Sequence, residues 1–295
     1  MRYMFKNRSN QLRAGWDILL VVAAIFVWKR VCTLGLSLLE DSGFGADPDG
    51  WISVFKGLGL YILLVIWFAV KVVHKQPLAS IGLTRPDGKR LCTGFICGTL
   101  FLTTVIMILL TLNIAHLQGD WSNPQWSRVD IIQLFIVSIL AGISEEVLCR
   151  GYIQHLLSSR LSPYWAAFII SAGFSLGHMT NGGYTWISAI NIALVSLIFS
   201  GMTIRTGNLY FAIALHAAWN LFQGYVFGVA VSGHPAEGIY VVGLHGAEWL
   251  SGGSFGLEGS AITTFVLGLA CVLLVFVPVR RSCRTGSRLE GSCKA

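Results

Sequence analysis

The sequence predicts an all-α membrane protein, a polytopic bundle of about eight transmembrane helices. Three observations predict it. Of the 295 residues, 54% are hydrophobic and only 12% are charged, whereas a soluble domain needs about a quarter charged residues to wet its surface. The mean hydropathy is +0.67. Apolar runs close to the ~20 helical residues that a ~30 Å bilayer core demands recur along the whole chain.

In order, these runs span 16–39, 51–73, 91–112, 129–157, 163–180, 185–204, 208–230 and 261–279. The first is the weakest, because Lys29 and Arg30 interrupt it; they snorkel, face a cavity or mark a break. No small-residue cleavage site follows that run, so no removable signal peptide is expected. The chain divides into a basic tail (1–15), N-terminal helices (16–128), a polar-studded core (129–225), a loop with the last helix (226–279) and a second basic tail (280–295).

Charge sets the expected orientation. The formal charge of +7 sits at the ends and in alternate loops. Arg2, Lys6, Arg8 and Arg13 precede the first span, and Arg280, Arg281, Arg284, Arg288 and Lys294 follow the last. Lys71, Lys75, Arg85, Lys89, Arg90, Arg150, Arg160 and Arg205 mark one side. Glu40, Asp41, Asp47, Asp49, Glu237, Glu248 and Glu258 mark the other. By the positive-inside rule both termini are cytoplasmic, as in a multi-pass protein of a bacterial inner membrane. This placement suits anionic lipid headgroups and excludes nucleic acid as a partner. Cys32, Cys92, Cys97, Cys149, Cys271, Cys283 and Cys293 form no CxxC pair and are expected to be ordinary small side chains. Trp16, Trp28, Trp51, Trp121, Trp126, Trp186 and Trp249 lie near span ends, where indoles anchor. Asn181-Gly182-Gly183 and Ser251-Gly252-Gly253 are expected to be turns outside the membrane.

Ionisable groups inside spans cost roughly 2.5–3.5 kcal/mol each, so those present need a reason. The fourth span holds Ser144-Glu145-Glu146, with Arg150 four residues after Glu146. That spacing pairs Glu146 with Arg150 on one face. Glu145, about 100° away, is left beside Ser138, Gly142 and Cys149, small residues that admit a neighbouring helix. Two helix-packing ion pairs are the plainer alternative. The fifth span carries His178 on a face with Ser171 and Ser175, and the seventh stacks His216 on Asn220 at i and i+4, continued by Ala212, Gln223 and Gly224. Three polar faces on three helices can bury themselves only by converging.

Converged, they suit hydrolysis. A water between a carboxylate and a histidine loses a proton to the carboxylate as it attacks a carbonyl carbon. The His216 and Asn220 side chains then offer donors for the oxyanion. Ser144 has no His–Asp support as a nucleophile. A zinc ion on Glu145, His178 and His216 is the competing reading, although HExxH is absent; the favoured reading needs no cofactor. A proton-relaying transporter would show duplicated, broken helices, and neither stands out. A silent scaffold or immunity protein on the same fold is a further alternative.

Glu145-Glu146-x-x-x-Arg150, Phe174-x-x-x-His178 and His216-x-x-x-Asn220 resemble the three motifs of the CPBP intramembrane protease family. That family includes CAAX prenyl endopeptidases of the Rce1 type and bacterial Abi-like proteins. The resemblance covers roughly 129–225, with Arg205-Thr206-Gly207-Asn208-Leu209 as a familiar lead-in and 252–259 similar to a loop of bacterial members. It implies an eight-helix bundle with a site reached from the cytoplasm and a glutamate-activated water. The implied catalytic pair is Glu145 and His178, with His216 and Asn220 stabilising the oxyanion and Glu146 and Arg150 holding the site together. The substrate it implies is a peptide or membrane protein.

Overall fold

A computed structural model describes residues 14–41, 59–128 and 131–277. Both basic tails beyond these bounds, Asp47, Asp49, Trp51, Cys283 and Cys293 lie outside the described residues. The protein is mostly helical, and every expected apolar run contains a helix. These are α1 (Ala14–Asp41), α2 (Leu60–Phe68), α3 (Gly88–Thr111), α4 (Ile131–Glu146) with its continuation α5 (Gln154–Ser158), α6 (Pro163–Gly177), α7 (Trp186–Thr206), α8 (Tyr210–Asn220) and, after the short α9 (Glu248–Ser251), α10 (Ala261–Leu274). By length and composition, three described helices can cross a membrane, within Ala14–Gly35, Gly88–Thr111 and Trp186–Thr206. Leu60–Val73 and Ala261–Leu274 are apolar but shorter.

The start signals are ordinary. The Asp87 side chain accepts from the Arg90 N–H at 3.1 Å to cap α3. Ser162 caps α6, with Pro163 in the first turn, where its missing N–H costs nothing. Thr185 and Ser188 form a reciprocal capping box on α7. What the apolar pattern does not announce is three wide π turns: Ala69–Val73, Val147–Ile153 and Leu221–Val226. The last two directly follow Glu145-Glu146 and Asn220, and such turns re-aim the side chains around them.

Close packing fixes the centre. A Cβ on Gly94 would stand 2.3 Å from the Phe211 carbonyl oxygen, and one on Gly98 2.5 Å from that of Leu215. This Gly-x-x-x-Gly stripe lets α3 and α8 run side by side in one direction with their backbones touching. Gly142 lies against Ile213 and Ala217, and Gly151 against Leu209, so α4 and its continuation run the opposite way along α8. Leu102, Ile106, Leu109, Phe199, Leu215 and Leu257 fill the main core. Large apolar side chains such as Phe265, Trp186 and Phe276 face outward, the inverse of a water-soluble surface.

The bundle therefore has two unlike ends. One carries Arg85, Lys89, Arg90, Arg160 and Arg205, with the Arg205 Nε donating to the Val277 carbonyl at 2.9 Å. The far end carries the two-stranded antiparallel sheet β1 (Ala115–Leu117) and β2 (Val242–Leu244), paired with His116 opposite Gly243. It also carries the long connection from α8 to α10.

Candidate active site

The adjacent glutamates have separate surroundings. Glu146 is fully buried, and its Oε1 accepts from Arg150 Nη1 at 2.9 Å, as the i,i+4 spacing requires. The same oxygen accepts from the His216 Nδ1–H at 3.0 Å. Arg150 is fully buried too; its Nη2 donates to the Ser196 hydroxyl and carbonyl oxygens. Its guanidinium lies over the rings of Phe174 and Phe199, 4.5 and 4.9 Å from their centroids. His216 stacks on Phe199 with centroids 5.3 Å apart. One charged knot thus ties α4, α7 and α8 together, with the motif phenylalanine as its lid.

Glu145 is not in that knot. Its side chain is 35% exposed, and its Oε2 lies 3.9 Å from His216 Nε2. Among the described residues this oxygen has no hydrogen-bond partner. His216 therefore stands between two carboxylates: one bonded to Nδ1, the other near Nε2. Ser144 is buried and donates to the Ala141 carbonyl at 3.2 Å, and no bond joins it to either histidine.

His178 ends α6, and its Nδ1–H donates to the Phe174 carbonyl at 2.8 Å. That bond fixes the tautomer and leaves Nε2 as an acceptor. The Ser171 and Ser175 face, expected to continue the site, is used instead for helix packing. Ser171 accepts from Ser196 at 2.9 Å, and Ser175 donates to the Ala189 carbonyl at 2.8 Å. His178, His216 and Asn220 line one pocket of about 40 Å³, together with Phe174, Asn191, Phe199, Trp219, Ser232 and Glu258. Glu145 does not line it and meets it only through His216.

Among the described residues, no three His, Cys, Asp or Glu side chains converge as a group that could hold a metal ion. Glu145 and His216 approach each other, while His178 shares with His216 a pocket that Glu145 does not line.

Residues 126–222 match the family of type II CAAX prenyl endopeptidases, Rce1-like. This central segment is Rce1-like. The family is one of intramembrane endopeptidases that process CAAX proteins, and with the apolar helices it makes the chain an integral membrane protein. None of the curated proteins matches the chain. The Rce1-like segment takes in all three motifs, from the start of the helix bearing Glu145 to just past Asn220.

Two features escaped the sequence. The Glu146–His216 bond joins residues 70 apart, and the i,i+4 partner Arg150 already accounted for Glu146. Glu258 was expected in a loop outside the membrane, yet it is buried and lines the same pocket as His178 and His216. The glycine-rich run before it was the available signal.

Proposed function

We propose that the protein is a metal-independent intramembrane endopeptidase in which Glu145 activates the water. The single observation carrying this reading is the pairing of the two glutamates with the two nitrogens of His216. The 3.9 Å separation of Glu145 Oε2 and His216 Nε2 is short enough for one water about 2.8 Å from each to bridge them when the buried oxygen is wetted. Glu145 takes its proton, and the oxygen attacks the peptide carbonyl. The imidazolium form of His216, held by Glu146, and the amide of Asn220 supply positive charge and N–H groups to the oxyanion. His178 Nε2 accepts from the nucleophile or the substrate.

The residues in these roles are Glu145, His178, His216 and Asn220, with Glu146 and Arg150 as the frame. The bundle crosses the bilayer about eight times, with its basic end and both termini in the cytoplasm of a bacterial cell. The site is then reached from the cytoplasmic side. The substrate is a peptide or membrane protein, with a prenylated CAAX terminus as the first candidate.

The test is incubation of purified protein in detergent with a farnesylated CAAX peptide, followed by mass analysis of the products. Loss of the three terminal residues is expected. The rate should survive dialysis against a strong chelator when elemental analysis shows less than stoichiometric metal. Stoichiometric zinc, with activity lost on removal and restored on readdition, would replace this mechanism with a zinc site on Glu145, His178 and His216.

A further inference from the structure

The carboxyl of Glu258 lies outside the Rce1-like segment, yet it reaches the pocket that the segment forms. It sits on the turn Leu257–Gly259, part of the connection between α8 and α10. Gln223 Nε2 donates to its Oε2, and the Ser232 hydroxyl donates to its Oε1 at 3.3 Å. Neither partner is a cation. Other titratable groups surround it: His178 and His216 across the pocket, His234 in the turn next to Ser232, Tyr184 against Phe255, and Glu248 against Gly253. Among the described residues, none of these forms an ion pair or hydrogen bond with it.

A buried carboxyl without a counter-charge is costly, so something must hold it there. The backbone does. Gly252 and Gly256 have φ of +98° and +92°, a region that L side chains avoid. A Cβ on Gly256 would stand 1.9 Å from the Ala230 carbonyl oxygen, and one on Gly252 2.0 Å from that of Gly256. The Asn191 amide donates to the Glu258 and Ser260 carbonyls at 2.8 Å each, clamping the turn to α7. Thr263 donates to the Leu257 carbonyl at 2.6 Å. A turn braced from three sides delivers one ionisable side chain into a pocket of histidines.

We infer that Glu258 is a further catalytic carboxyl of this site, facing the scissile amide from the side of His178 and Asn220 and protonating the nitrogen that leaves. The inference rests on the hydrolase reading above. Water gives one proton to Glu145 and its oxygen to the carbonyl carbon. As the C–N bond breaks, Glu258 gives its proton to the nitrogen, and the products are a carboxylic acid and an amine. The new acid returns a proton to Glu258, and Glu145 releases its own to solvent, so the balance closes on peptide plus water. Burial supports the role by pushing the Glu258 carboxyl above the usual carboxylate range, although bonds from the Gln223 amide, from the backbone N–H groups of Glu258 and Ser232 and from the Ser232 hydroxyl oppose that push. A group that must be protonated to work loses function as pH rises through its raised pKa, giving a basic limb to the rate profile.

The test compares wild type, Glu258→Gln, Ser232→Ala and Glu145→Gln on the farnesylated CAAX peptide across pH. Glu258→Gln should lower kcat about 100-fold or more, leave KM within about threefold and abolish the basic limb. Ser232→Ala keeps the carboxyl and removes a bond that favours its charged form, so the limb should move to higher pH. If Glu258→Gln keeps kcat within about threefold, or keeps the limb, while Glu145→Gln is inactive, the Glu258 role falls and the hydrolase reading stands. If Glu145→Gln is also fully active, the hydrolase reading itself falls. A second readout needs no substrate. A carboxyl held protonated by the fold stabilises it fully below the unfolded pKa, and that contribution is lost as pH rises through the folded pKa. The thermal midpoint of wild type should therefore fall from about pH 5 to 8 more steeply than that of Glu258→Gln; equal slopes overturn the proposal.

Discussion

Two hollows among the described residues differ in their chemistry, and the larger of the two is the less reactive. At the basic end, about 810 Å³ is lined by Asp17, His74, Tyr152, His155 and Arg160, among others. The pocket of His178, His216 and Asn220 measures about 40 Å³. In the large hollow three of the polar groups satisfy one another. Tyr152 donates to Asp17 Oδ1 at 3.2 Å, His74 Nε2 lies 3.3 Å from Asp17 Oδ2, and the histidine and tyrosine are 3.0 Å apart. This closed triangle fastens α1 to the π turn after α2 and to the one before α5. In the small pocket, Trp219 Nε1 and Asn191 Oδ1 have no bonding partner among the described residues. A clamp uses up its polar atoms; a reactive site keeps some free for the substrate. Volume alone would have pointed to the wrong end.

Substitutions at the two hollows should separate these roles. Glu146→Gln should have the largest effect on stability. It strands the Arg150 charge in a dry core and weakens the acceptor for His216, costing about 3–5 kcal/mol, read as a lower thermal midpoint and poorer folded yield. Glu145→Gln, one residue away, should leave the midpoint within about 1 °C, because a half-exposed amide keeps the same shape. Matching losses in both variants would contradict the division between the glutamates.

Gly256→Ala comes next. Its φ and the Ala230 carbonyl in its path should cost about 1–3 kcal/mol and reduce turnover, because the turn carrying Glu258 must shift. An alanine variant with wild-type midpoint and rate would mean that the turn is not rigid. Tyr152→Phe should have the smallest effect. Loss of one bond in the Asp17 triangle should cost about 1 kcal/mol and leave turnover within about threefold. A hundredfold loss of rate there would make the large hollow part of the active site.

Much of this architecture is legible in the sequence because each signal is local. The apolar runs, the Glu146–Arg150 spacing and the His216–Asn220 stack all arise within one helix. The Gly94 and Gly98 stripe, where a Cβ would meet the α8 backbone, is local too, yet it went unread in the sequence. What the sequence hides depends on register between elements. The π turn after Glu146 does not alter the apolar pattern, and Ser171 and Ser175 look like site residues until α7 is in place beside them. Glu258 looks like any loop charge, because only the folded connection turns it inward. The match over 126–222 shares this limit, since it stops before the turn that carries Glu258.

The central claim is that Glu145 is the base and Glu146 the brace. It is tested most directly by single-turnover cleavage of the farnesylated CAAX peptide by wild type and Glu145→Gln, prepared identically and shown to share one thermal midpoint. The account predicts a loss of about 1000-fold or more in the cleavage rate with peptide binding retained. A Glu145→Gln protein that folds, binds and cleaves at the wild-type rate would contradict it.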